Sequence, residues 1–205
     1  GSRAAASRRR VKTFLCLGIF VQVRLDLSCR WHLYSRYCSP PSWGTWTGGD
    51  YSSEPPIVAE RVVLFLDYQN IYKGARTCFH DLHAPHMSGQ ISPLLLGEYL
   101  IASSPYEREL EEVRVYRGRP DASHDPKGYA ACTRQIDVWQ QSSRVTVITR
   151  ALRYPYGWPH QSQPGEKPQE KGIDVALAID FVALAIQGRY DVGILMSTDT
   201  DLKPA

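Results

Sequence analysis

Four aspartates stand where carboxylates do chemistry. Asp67 directly follows the apolar run Val62–Leu66, Asp174 opens an apolar stretch just after Gly172, and Asp199 and Asp201 follow the apolar run Val192–Met196 in Ser197-Thr198-Asp199-Thr200-Asp201. Carboxylates at the ends of nonpolar elements repel one another unless a cation neutralises them. Donors that are all oxygen suit a hard ion such as Mg²⁺ or Mn²⁺. Singly, each acid has an ordinary structural reading: Asp199 as a helix N-cap, Asp67 as a turn residue, Asp174 as a first-turn acid favoured by the helix dipole. Placement of all four at one predicted sheet edge is what those separate readings leave unexplained.

Other constellations offer less. Cys78, His80, His83 and His86 form a His-rich stretch whose spacing fits no common zinc pattern, and it reads as a surface loop. The sequence contains neither G-x-x-x-x-G-K-[ST] nor G-x-G-x-x-G, and no Ser or Cys stands in a recognisable nucleophile motif. Arg114, Arg117 and Arg119 fall along and after the second predicted strand. Arg153, Tyr154, Tyr156, Trp158, Lys167 and Lys171 mix cations with aromatics in a Pro-rich stretch at 152–171. Cations meet phosphates and aromatic rings stack on bases, so both groups are candidates for gripping a single strand; the alternative for the stretch is a solvated loop with its rings packed on the core.

The elements that must position these residues follow from pattern. Val62–Leu66 is continuously apolar, the mark of a strand buried on both faces. Residues 91–103 read as a helix with Ser92 as N-cap and Pro93 at its first position. Val113–Tyr116 reads as a strand, and Asp125-Pro126 opens a helix whose Tyr129, Cys132, Ile136 and Trp139 share a face. Val145–Thr149 and Val192–Met196 complete a set of four strands, and Ile173–Gln187, stopped by Gly188, reads as a core helix. Strands alternating with helices predict an α/β fold, a mainly parallel sheet flanked by helices.

Composition agrees with a globular chain: 43% of the 205 residues are hydrophobic and 22% charged. The net charge of +3 is uneven, +4 over residues 1–60 and −1 over 61–205. Nucleic acid would therefore be held at a local site, not by a basic coat. Five cysteines without C-x-x-C argue against a disulfide framework and for a reducing compartment, with the cytoplasm as the expected location. Residues 1–25 contain no acid, and the basic start followed by Phe14–Val23 is similar to a signal or transit peptide, but no clear cleavage site follows. Residues 39–56 are rich in Pro, Gly and Ser. The expected division is an unstructured extension and linker at 1–56 and one domain at 57–205, with no membrane partner.

Phe65-Leu66-Asp67-Tyr68-Gln69-Asn70, Glu170-Lys171-Gly172-Ile173-Asp174-Val175-Ala176-Leu177-Ala178-Ile179-Asp180 and Ser197-Thr198-Asp199-Thr200-Asp201-Leu202-Lys203-Pro204, in that order, resemble the NYN domain family. These are PIN-like proteins, many of them ribonucleases, and the resemblance runs from about residue 61 to the end. It implies a PIN-like three-layer fold. The family pattern continues past S-x-D-x-D through another helix and strand, so the resemblance also implies a domain incomplete at its C-terminus. It implies a site for Mg²⁺ or Mn²⁺ held by Asp67, Asp174 and Asp199 with Asp201 in support, and Asn70 as the residue that positions water or phosphate. Asp180, well round the helix from Asp174, is expected to form a structural hydrogen bond. The resulting expectation is metal-dependent hydrolysis of single-stranded RNA, gripped by Arg117, Arg153, Tyr156 and Lys171. The rivals are a non-catalytic module binding nucleic acid or protein, and a phosphohydrolase of nucleotides or small phosphates.

Overall fold

The computed structural model describes residues 21–24, 59–80, 83–160 and 165–202, with backbone alone for Val21–Arg24, His86 and Thr200. The strands are β1 (Val21–Arg24), β2 (Glu60–Asp67), β3 (Arg108–Arg119), β4 (Val145–Ala151) and β5 (Val192–Met196). The helices are α1 (Tyr68–Phe79), α2 (Pro93–Ala102), α3 (Pro126–Trp139) and α4 (Ile173–Ile186). They form a sheet in the order β1-β5-β2-β3-β4, in which β2 to β5 are mutually parallel. β1 runs antiparallel along β5, with Val21 opposite Leu195 and Arg24 opposite Val192. It adds an edge strand where sequence pattern placed no element; the rest of residues 1–58 lies outside the described residues.

β2 is the middle strand, and its continuous apolar run follows from that position. Val62 to Leu66 are at most 1% exposed because helices cover both faces. Alternation then sorts the side chains. Val63 and Phe65 join Tyr116, Leu177, Phe181 and Tyr190 beneath α4. Leu64 and Leu66 join Tyr68, Val113, Val115 and Trp139 on the other face, with partly buried residues of α1 and α2 packed against them.

Caps fix where the helices start. Ser92 accepts from the Leu95 N–H ahead of α2, and Asp125 accepts from Gly128 N–H at 2.8 Å ahead of α3, each followed by proline at the first helical position. α4 follows Gly172, whose φ of +72° disfavours any side chain. α4 differs from the all-round core helix that its composition predicts. Ile173, Leu177 and Phe181 face the sheet, while Val175, Ile179, Val182 and Ile186 are exposed. Sequence pattern places no helix at α1; Asp67, expected as a metal-holding acid or a turn residue at the strand end, is also its N-cap.

Because β2 leads to β3 on one side and pairs with β5 on the other, the chain reverses direction across the sheet between β2 and β5. A crevice opens at the carboxyl ends of strands at such a point, which is where ligands bind in open α/β sheets.

Candidate active site

Asp67 ends β2 at that crevice and is 4% exposed. Its Oδ2 accepts from Asn70 Nδ2 at 2.6 Å and from Ser197 Oγ at 2.8 Å, while Oδ1 accepts from the Asn70 backbone N–H at 3.4 Å. Asn70 Nδ2 also donates to Ser197 Oγ at 3.2 Å. Local sequence explains the arrangement: a carboxylate at the N-cap of α1 takes the first-turn N–H, and the same turn brings the Asn70 amide back over it. Ser197 follows β5 directly and is also buried. Its Oγ accepts from the Asp199 N–H at 3.0 Å, and Asp199 Oδ1 accepts from the Asp201 N–H at 2.9 Å. The S-T-D-T-D stretch therefore folds back on itself at the strand end and hangs from Asp67.

Electrostatics adds a second acid. Burial pushes the Asp67 carboxyl above the ordinary aspartate value; hydrogen bonds from Ser197 and Asn70 pull it down, and the charge on Asp199 pushes it up. Glu170, at the end of the long loop before α4, is raised chiefly by burial. The Gly118 N–H, donating to its Oε1 at 2.5 Å, opposes the shift; the Asp67 charge adds to it, and Lys73 and Arg117 oppose it. With its amide nitrogen turned inward, Gln69 donates to both Glu170 oxygens at 2.7 and 2.8 Å. Gly118 permits this approach, since a Cβ there would stand 2.6 Å from Glu170 Cγ. Asp67, buried, thus lies in the field of Asp199, and Glu170, half-buried, lies in the field of Asp67.

The remaining predicted acids are placed differently. Asp174 lies in the first turn of α4, partly buried, and among the described residues its side chain makes no hydrogen bond or ion pair. Asp201 is exposed. Among the described residues no three His, Cys, Asp or Glu side chains are grouped tightly enough to hold one ion, and this includes Cys78, His80 and His83. Asp180 accepts from Arg114 Nη2 at 3.0 Å and Tyr116 Oη at 2.8 Å, a tie between α4 and β3.

The cationic and aromatic candidates fall into two groups. Arg117 is fixed: its guanidinium lies 5.1 Å from the Tyr68 ring and 5.6 Å from Trp139, and Nη1 donates to Gln135 Oε1 at 2.5 Å. In the long loop, Arg153 and Gln169 exchange backbone hydrogen bonds at 2.9 Å in both directions, which pins the loop at its base. The side chains of Arg153 and Lys171 are exposed, and Tyr156 is 95% exposed. Tyr154 instead packs back: its ring stacks on His124 at 4.5 Å and its Oη accepts from the Asp121 N–H.

Three residues that the fold brings to this site carry no role in the sequence reading: Glu170, Ser197 and Gln69. All three lie inside the motif stretches, but none carries a signal of its own. Ser197 is a hydroxyl beside two conspicuous aspartates, and Glu170 sits at a loop end, not at a strand end.

A family model for the NYN domain matches residues 61–205. The chain belongs to the NYN domain family, a PIN-like nuclease family. Comparison with curated proteins and with solved structures gives no match. Nucleases of this kind typically use a divalent metal, and the donor chemistry of this NYN domain fits a hard one. Asp67 and Asp199 offer only oxygen, and the charge of Asp199 already acts on Asp67. Two carboxylates completed by water and phosphate oxygens are the usual way Mg²⁺ is held, so a third converging carboxylate is not required.

Proposed function

We propose that this NYN domain is a metal-dependent ribonuclease that hydrolyses phosphodiester bonds of single-stranded RNA. The observation that carries the reading is Asp67, a carboxylate buried at the carboxyl end of the middle strand and facing the charges of Asp199 and Glu170. Capping α1 explains one carboxylate at this place but not the further acids set close enough to raise its repulsion.

Asp67 and Asp199 would hold Mg²⁺ or Mn²⁺, with Asp174 and Asp201 adding negative charge around the ion, no third grouped carboxylate being present among the described residues. The ion, when bound, supplies a water of lowered pKa and neutralises charge on the phosphate. The chain's own residues do the positioning. Asn70 and Ser197 lock the Asp67 carboxylate in one orientation, as outer hydrogen bonds do for metal ligands generally. Asn70 acts here by orienting Asp67, its amide nitrogen being committed to Asp67 and Ser197. Arg153 and Lys171 meet the RNA backbone, Tyr156 stacks on a base, and Arg117 contributes a fixed positive charge beside Glu170.

The test is cleavage of a labelled single-stranded RNA with Mg²⁺ or Mn²⁺ by wild type, Asp67→Asn, Asp174→Asn and Asp199→Asn. Each variant should lose roughly a hundredfold or more in rate, the scale expected when charge stabilisation at the reacting phosphate is removed. Undiminished cleavage in Asp67→Asn sinks the reading. A second reading, a binding module that cleaves nothing, rests on the lack among the described residues of a third grouped carboxylate. RNA binding by wild type without cleavage in either ion would select it.

A further inference from the structure

A cavity of about 260 Å³ opens beside the carboxylate site, between α1, the 3₁₀ turn His86–Gly89 and the end of β5. Ile71 and Phe79 of α1, Ile91 and Met196 form apolar walls. Asn70 and Ser197, the two residues that hold Asp67, line it as well, so the cavity and the site share a wall. No Lys, Arg, Asp or Glu lines it, and Gln90 and Ser88 add uncharged polar groups. Position 74, inside α1, is a glycine that lines the cavity. Glycine there costs about 1 kcal/mol of helix stability relative to alanine, and a larger side chain would enter the cavity.

Resting on the ribonuclease reading, we propose that this cavity takes the nucleobase of the nucleotide adjoining the phosphodiester held at Asp67. The lining selects this part of the substrate. The lining is mainly apolar and has no Lys or Arg to pair with a phosphate, His80 being its one ionisable side chain, whereas a base is a flat, largely apolar ring with a hydrogen-bonding edge. A phosphate at Asp67 brings the neighbouring base to the shared wall of Asn70 and Ser197. Phe79, 46% exposed, supplies a ring for stacking, and Gln90 supplies a donor and an acceptor for the base edge. Cleavage then carries a preference at one position of the strand, set by this cavity and not by the exposed long loop.

The experiment measures affinity by fluorescence anisotropy with Ca²⁺ in place of Mg²⁺, which can occupy an oxygen-donor site and hold the phosphate there, and gels confirm that the RNA stays intact so that binding is read without cleavage. The full 205-residue chain is titrated onto a labelled ten-nucleotide single-stranded RNA and onto the same RNA with abasic riboses. Gly74→Leu should weaken binding of the base-containing RNA about tenfold and leave the abasic RNA unchanged; Phe79→Ala should act in the same direction. Should Gly74→Leu fail to fold, Gly74→Ala, which favours the helix and narrows the cavity less, decides with a smaller loss of the same kind. Unchanged affinity for base-containing RNA in Gly74→Ala and Phe79→Ala overturns the proposal, as does equal binding of the two RNAs by wild type. An affinity that depends on bases and on position 74, without cleavage in Mg²⁺ or Mn²⁺, supports the cavity and overturns the ribonuclease reading alone. Cleavage that is indifferent to position 74 overturns the cavity alone.

Discussion

Ser197 Oγ donates to Asp67 Oδ2 at 2.8 Å, joining residues 130 positions apart at the adjacent ends of β5 and β2. The same oxygen accepts from Asn70 Nδ2 and from the Asp199 N–H, so one hydroxyl connects the strand-end carboxylate, the first turn of α1 and the acidic stretch after β5. A hydroxyl suits this place because it both donates and accepts, whereas a carboxylate would repel Asp67. The crevice between β2 and β5 is thereby braced from both sides, with the acids held in it and not drifting into solvent.

Asp67→Asn keeps the shape of the residue and removes a buried charge that faces Asp199 and Glu170. Without added metal, the thermal midpoint of the variant should rise by a few degrees at neutral pH, because repulsion in the folded state has gone. Mn²⁺ should stabilise wild type and do so much less in Asp67→Asn. Melts with and without Mn²⁺ read both effects. An equal Mn²⁺ shift in the variant would place the ion elsewhere, His80 and His83 being the first residues to replace.

Asp180 should behave in the opposite way. It holds Arg114 and Tyr116 on the face under α4, and Tyr116 is fully buried. Asp180→Ala takes away the acceptor of the Tyr116 hydroxyl and one acceptor of Arg114, which keeps Glu112 and Tyr116, and should cost about 1–3 kcal/mol of stability. Cleavage per folded molecule should stay within about twofold of wild type, since the loss is structural and not a change at the reacting phosphate. Denaturant melts alongside the RNA assay check this; a large drop in rate at full stability would move Asp180 into the site.

The contrast between those two aspartates shows what was legible in the sequence. Asp67 is marked by ending an apolar run, and Asp180 by interrupting one, so pattern separates their roles. Strand β5 was legible residue for residue, because Val192–Met196 is a short apolar run between polar ends. β3 extends from Arg108 to Arg119, well beyond Val113–Tyr116, because its outer residues pair with β2 and β4 while their side chains are charged and half-exposed. α1 was missed because its apolar positions mix with Gly74 and polar residues, and tertiary packing of Tyr68 on Trp139, with ring centres 4.7 Å apart, decides it. Glu170 needs the fold outright. Nothing in residues 165–171 says that the loop returns to Gly118, some fifty residues away in the chain.

The amino end of the sheet carries a pH-sensitive tie. Asp191 accepts from the Arg61 backbone N–H at 2.9 Å and from its Nε and Nη2 at 3.1 and 3.0 Å, linking the starts of β5 and β2. The Arg61 hydrogen bonds hold the Asp191 carboxyl below its ordinary 3.8, against a smaller opposing effect of burial. A depressed carboxyl contributes stability above its ordinary value and loses it as pH falls through the folded one. Both side chains are more than a third exposed, so the contribution is about 1 kcal/mol after solvent screening. Asp191→Asn should therefore lower the midpoint at pH 7 and flatten the loss of stability below pH 3.8. Asp67 and Glu170, raised by burial, have the opposite sign: their contribution falls as pH rises above the ordinary carboxylate range. Thermal melts between acid and neutral pH separate the two limbs. An acid limb unchanged in Asp191→Asn would assign it to other groups, Asp121 first, since hydrogen bonds from Ser123 hold that carboxyl at about 2.

Glu170 and Gly118 can be tested from both sides of one contact. Glu170→Gln retains a carbonyl oxygen for the Gly118 N–H but removes the charge next to Asp67. Gly118→Ala keeps the charge but sets a Cβ against Leu152 Cδ2 and 2.6 Å from Glu170 Cγ, so both side chains must shift. If the charge of Glu170 serves the reaction, Glu170→Gln should lower the RNA cleavage rate about tenfold or more while its thermal midpoint holds or rises, because a buried repulsion is relieved. Gly118→Ala should lower both rate and midpoint, because the displaced carboxylate also gives up its Gly118 hydrogen bond and its place against Gln69. The double variant should be no slower than Gly118→Ala alone, since the two changes remove the same contact and their effects do not add. Cleavage rates and melts on the four proteins complete the cycle. Full activity in Glu170→Gln, with loss in Gly118→Ala, would reduce Glu170 to a tie between the loop and β3 and return the chemistry to Asp67 and Asp199 alone.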